Sequence, residues 1–167
     1  PMVVGKIMLD CEKETIAFET ILAKTDFDGR KLFLIKAEGP GSTVGRPAEA
    51  LQTIVSNSKI DAVIMVDAAL KMEGEDSASI ACGFGAAIGG IGTERFQIEE
   101  IATQKNIPIF SIVVKQSVKE AITLMTKQIG DKSDDVTSQI YEMIQENTKA
   151  GQSIVIIGVG NTSGVPQ

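Results

Sequence analysis

Four short apolar runs constrain this chain more than any other feature: Lys31 to Ala37 (KLFLIKA), Ile60 to Val66 (IDAVIMV), Ile107 to Val114 (IPIFSIVV) and Ser153 to Gly158 (SIVIIG). Each is of strand length and lacks the in–out alternation of a half-exposed strand, so each must be covered on both faces. The segments between them carry apolar residues at helical spacing. Ala48, Leu51, Ile54 and Val55 follow Pro47; Phe96, Ile98, Ile101 and Ala102 form a second set; Val118, Ala121, Ile122, Met125 and Ile129 a third; Val136, Ile140, Met143 and Ile144 a fourth. Strands alternating with helices specify a parallel sheet with helices on its faces. The pattern predicts one α/β domain over residues 1–167, a three-layer α/β/α sandwich around a four-stranded parallel, Rossmann-like sheet. A flavodoxin-like strand order such as 2-1-3-4 is the expectation for that class. Ahead of the first run, Val4, Ile7, Met8, Cys11, Phe18, Ile21 and Leu22 recur at spacings that predict an N-terminal amphipathic helix between Val3 and Lys24.

A chain of 167 residues buries enough surface to fold without a metal or disulfide staple. Its two cysteines, Cys11 and Cys82, form no C-x-x-C pair and read as small buried groups. The chain has no histidine, which removes catalytic triads and histidine-ligated zinc from consideration. With 16 basic and 22 acidic side chains the formal charge is −6, a field that repels phosphodiester backbones and anionic lipid. Nucleic acid is therefore not an expected partner. No apolar run approaches the roughly 20 residues of a membrane span, so this segment is expected to make no membrane contact and to be cytoplasmic.

Glycine placement carries the functional signal. Of 16 glycines, 11 fall in three clusters: Gly39, Gly41 and Gly45; Gly83, Gly85, Gly89, Gly90 and Gly92; and Gly158, Gly160 and Gly164. The first and third follow strand runs directly and the second lies in the connection leaving the Ile60 run, so all three are expected at the carboxyl edge of the sheet, where open α/β folds bind ligands. Gly39, Gly41, Ser42, Thr43, Gly45 and Arg46 join a strand to a helix, a setting in which free backbone N–H groups and the positive helix end favour an anion. The spacing matches neither the dinucleotide fingerprint nor the Walker A loop. Gly158, Gly160, Asn161 and Thr162 leave the last strand at the same edge with polar groups to offer. Asp67 and Glu73, near the end of the Ile60 run, are the candidate ligands for a divalent cation bridging to a phosphate.

Two functions fit. One is a domain binding a small phosphorylated or carboxylated metabolite, or a nucleotide, at these loops, with Asp67 or a nearby metal carrying any catalysis. The other is a non-catalytic interaction module, a homo-oligomer whose small-residue face from Gly83 to Gly92 allows close backbone approach. The phrases GPGSTVGRPAEAL, VDAALKMEGED, GFGAAIGGIGTERFQIEEIA and GVGNTSGVPQ resemble an archaeal family of conserved proteins, a domain of unknown function. The resemblance spans nearly the whole chain. It implies archaeal origin and a longer parent protein, and supplies no reaction or catalytic residue.

Overall fold

The computed structural model describes residues 1–86, 93–123, 125–160, 162 and 165. Element order is α1 (Met2–Ile7), β1 (Lys13–Ala17), β2 (Thr20–Phe27), β3 (Arg30–Ala37), α2 (Pro47–Asn57), β4 (Ala62–Leu70), β5 (Ile80–Phe84), α3 (Thr93–Gln104), β6 (Ile109–Gln116), α4 (Val118–Ile122), α5 (Lys127–Asp131), α6 (Ser133–Asn147) and β7 (Ser153–Gly158). The four apolar runs are β3, β4, β6 and β7. They neighbour one another in parallel, β3 with β7, β7 with β4 and β4 with β6.

The sheet is larger than the sequence predicts and mixed in direction. It has seven strands in the order β1-β2-β3-β7-β4-β6-β5. The hairpin β1–β2 adds to β3 antiparallel, and β5 adds to β6 antiparallel. The flavodoxin-like order is also corrected: numbering the predicted strands one to four along the chain, the observed order is 1-4-2-3. The last predicted strand enters the centre, between the first and the second.

The predicted N-terminal helix is overturned as well. Only Met2–Ile7 is helical, and Phe18, Ile21 and Leu22 belong to the hairpin. Glu19 holds the turn at φ 47, and Thr20 faces Ala37 across the β2–β3 ladder. Ile21 and Leu22 then point to opposite faces, as strand geometry requires. The helix predicted through Val118 to Ile129 is also divided, into α4 and α5.

Alternate residues of the central strands feed two cores. Leu32, Leu34, Ile64, Val66, Ile154 and Ile156 pack with Val4 and Met8 of the α1 region and with Val136, Ile140 and Ile144 of α6. Phe33, Ile35, Val63, Met65, Val155 and Ile157 pack with Leu51 and Ile54 of α2 and with Ile98 and Ala102 of α3. The period of two in the strands thus meets the 3.6-residue stripe of a helix on each face. Gly158 permits one of these packings, because a Cβ there would stand 3.0 Å from Val4 Cγ2 and from Pro1 Cα.

Candidate functional site

The glycine loop after β3 and the segment after β7 are brought together, because β3 and β7 are parallel neighbours and release their chains at one edge. The Thr162 N–H donates to the Thr43 carbonyl at 3.0 Å, the Thr43 N–H to Thr162 Oγ1 at 3.3 Å, and Thr162 Oγ1 to the Glu38 carbonyl at 2.9 Å. Gly39 is required here, since a Cβ would collide with the Val165 backbone carbonyl.

That contact changes what the loop offers. The Ser42 N–H donates to the Pro40 carbonyl at 3.1 Å, the Gly45 N–H to Thr43 Oγ1 at 3.1 Å and the Arg46 N–H to Thr20 Oγ1 at 2.6 Å. These amides close the loop on itself and on β2 instead of facing a hollow. Arg46 is exposed, 3.7 Å from Glu49 and 5.8 Å above the Phe18 ring. A Cβ at Gly41 would meet open space. Asn161 lies outside the described residues, as do Gly89, Gly90, Gly92 and Gly164.

The described members of the second glycine cluster, Gly83 and Gly85, are not on the rim shared by the other two. β5 intervenes after β4 and runs back antiparallel to β6, pairing Gly83 with Ser111 and Phe84 with Phe110. The Gly85 N–H reaches the Ile109 carbonyl at 2.9 Å, so Gly83 and Gly85 sit beside the amino end of β6. Cys82, expected to be buried, is exposed on this strand. Partial burial, with Glu142 nearby, pushes its thiol pKa up, away from the reactive thiolate.

A cavity of about 640 Å³ opens elsewhere on the carboxyl edge, at the ends of β4, β6 and β7. Val66, Val114, Ile129, Val136 and Val165 give it apolar walls, and Met2 and Val3 of α1 close one side. Among the residues singled out from sequence, Asp67 and Gly160 line it, whereas the Gly39–Arg46 loop does not. Glu73 is exposed in the turn beyond β4. Among the described residues no group of three or more Asp, Glu, Cys or His is arranged to hold a metal ion.

Asp67 is the polar centre of this cavity. Its side chain retains 3% of its exposure and faces Arg95, from the first turn of α3, with an ion pair between Asp67 Oδ2 and Arg95 Nη2. The Ala68 N–H donates to Asp67 Oδ1 at 2.7 Å. Burial pushes the Asp67 carboxyl above its ordinary range; the Arg95 charge and the Ala68 N–H oppose the shift without cancelling it. The pair is incompletely satisfied: Asp67 Oδ2 is held by Arg95 Nη2, but among the described residues Arg95 Nη1 is buried without a hydrogen bond. Such a group costs roughly 1–3 kcal/mol unless something meets it. Arg95 escapes a reading of the sequence because nothing in the local pattern of α3 distinguishes it from a surface arginine. Its partner becomes visible only when β4 and α3 are placed together.

Fold and site together define a mixed α/β domain with a mainly apolar cavity and a buried ion pair at the carboxyl edge of its sheet. The chain belongs to the family described as domain of unknown function (DUF1512) C-terminal, whose family model matches residues 1–166. No curated protein matches the chain.

Proposed function

We propose that this domain binds a small organic metabolite in the cavity formed by β4, β6 and β7. The observation that carries this reading is the buried Asp67–Arg95 pair, which leaves the Arg95 Nη1 donor unmet at a cavity with apolar walls. Ligand pockets combine those two properties: an apolar lining for affinity and a few polar groups for orientation. The phosphorylated, carboxylated and nucleotide ligands anticipated from the glycine loops enter this reading through the cavity, since the Ser42, Thr43, Gly45 and Arg46 amides already have internal acceptors.

The test is a thermal-shift screen of the whole chain against nucleotides, sugar phosphates, carboxylates and carboxamides. A ligand at one hundred times its Kd stabilises the folded state by about 2.7 kcal/mol and raises Tm accordingly. Ala68→Leu, which projects extra side chain into the cavity, is expected to abolish the response. A panel without effect on Tm, or a response indifferent to Ala68→Leu, overturns the proposal.

A second reading, the interaction module, is favoured by β5. This strand ends the sheet, carries no charged residue, and leaves Phe84 84% exposed. An open, uncharged edge is a template for pairing with a second copy.

A further inference from the structure

The phase of the β5–β6 ladder decides which backbone groups β5 turns outward. The Lys115 N–H donates to the Ser79 carbonyl at 2.8 Å and the Gly85 N–H to the Ile109 carbonyl at 2.9 Å. Backbone groups in an antiparallel pair alternate in direction, so Ser79, Ala81, Gly83 and Gly85 direct theirs to β6. Ile80, Cys82 and Phe84 therefore aim their N–H and C=O groups away from β6, where among the described residues no further strand pairs. The strand carries no charged residue. Three outward residues centred on Cys82 are unchanged by a half-turn. An identical strand laid antiparallel alongside sets Cys82 opposite the partner's Cys82, and Ile80 opposite the partner's Phe84.

The side chains fit the same register. Residues 80, 82 and 84 share one face of the strand, the face toward α6. Ile80 packs against the core that holds Ile140, Phe84 lies 5.2 Å from Phe110, and Cys82 Sγ is 3.5 Å from Gln139 Oε1. Phe84 is nonetheless 84% exposed. Beside the partner's Ile80 its ring gains an aromatic–branched pair, a favoured cross-strand combination. On the opposite face Ala81 meets the partner's Gly83, small against small. Resting on the interaction-module reading above, we infer that two copies of this chain join β5 to β5 antiparallel about a two-fold axis at Cys82, which makes one sheet continuous through both. The axis is perpendicular to the sheet and leaves both α6 helices on one side, so the exposed Glu142, the carboxylate that acts on Cys82, approaches its own copy. A contact of five residues a strand, flanked by like charges, falls below the standard interface size, and the dimer is accordingly a weak one.

Cys82 gives a direct test of the register. Hydrogen-bonded antiparallel partners stand about 5.5 Å apart at Cα, within the roughly 4.4–6.8 Å that a disulfide spans. The whole chain with Cys11→Ser, which leaves Cys82 as its one thiol, is treated at high concentration with diamide. Diamide accepts the two thiol hydrogens and becomes a hydrazine as the S–S bond forms. The expected product is a reducible species of twice the chain mass. It should form about tenfold faster than from the same chain with Ala81→Cys and Cys82→Ser, whose thiol lies on the other face and out of register. That ratio should vanish in urea. Cys82→Pro removes an outward N–H that β6 does not use, and is expected to return the light-scattering mass to that of the monomer while leaving a cooperative thermal transition. A dimer whose two thiol positions cross-link at equal rates overturns the Cys82 register and leaves the interaction-module reading standing. A dimer that survives Cys82→Pro does the same. A wild-type monomer at every concentration overturns both.

Discussion

Lys36 carries an ammonium group into the interior beside β7. It is fully buried, and its Nζ donates to the Ala37 carbonyl at 3.0 Å. Gly5 of α1 makes the room, for a Cβ there would stand 3.2 Å from Lys36 Cε. Burial, with Lys13 nearby, lowers the Lys36 pKa below its ordinary value of 10.5, and Glu38 only partly restores it. Between the folded and unfolded values the unfolded chain binds more protons, so stability rises with pH across that alkaline window. Lys36→Met is expected to raise unfolding free energy at neutral pH by about 1–4 kcal/mol, the range seen when buried ionic groups give way to apolar ones. It should also flatten that alkaline rise. Urea unfolding at neutral and alkaline pH measures both; an unchanged slope would show that Lys36 does not carry the effect. The sequence pattern does not announce this residue, because KLFLIKA reads as an apolar run whose lysines flank it. Arg95 is hidden for the related reason that burial of a long charged side chain depends on what the topology lays across it.

At the level of elements, legibility follows apolar content. Strands β3, β4, β6 and β7 are read from sequence to within a few residues because both their faces are covered. Strand β1, exposed from Lys13 to Thr15 and buried only at Ala17, buries too little to leave a signal in KETIA. Its turn into β2 uses Glu19 at positive φ, where glycine or asparagine would have marked a hairpin. Strand β5 is hidden among small residues for the same reason, and its insertion moves Gly83 and Gly85 away from the rim where the other glycine clusters meet. The two edges of the sheet are unlike. β1 carries Lys13 and Glu14 and shifts register between Thr15 and Ala17, features that discourage further strands, whereas β5 carries none of these charges. If β5 mediates self-association, light scattering of the wild-type chain will give twice the monomer mass, and Phe84→Ser will return it to the monomer. A wild-type monomer at high concentration would remove the interaction-module reading.

For the whole molecule, no described helix is long and apolar enough to cross a membrane, and the formal charge of −6 favours dispersal in water. The sheet order has a further consequence for how the molecule is assembled. β7 pairs with β3 on one side and β4 on the other, through registers running from Lys31 with Ser153 to Val66 with Gly158. Chain cut after Gln152 is expected to give no cooperative thermal transition by circular dichroism, since the two halves of the sheet then have no shared strand. A cooperative transition in that fragment would show that either half closes alone. Pairings of such long sequence separation also slow folding, because chain must be brought together over about 90 residues for β4 with β7 and about 120 for β3 with β7 before those contacts form. On a ribosome, the hairpin and its partner strand emerge long before their keystone does. The nascent chain must therefore hold a slot open, with two apolar strand edges exposed, until residues 153–158 clear the exit tunnel, and that interval is when a chaperone would find its substrate.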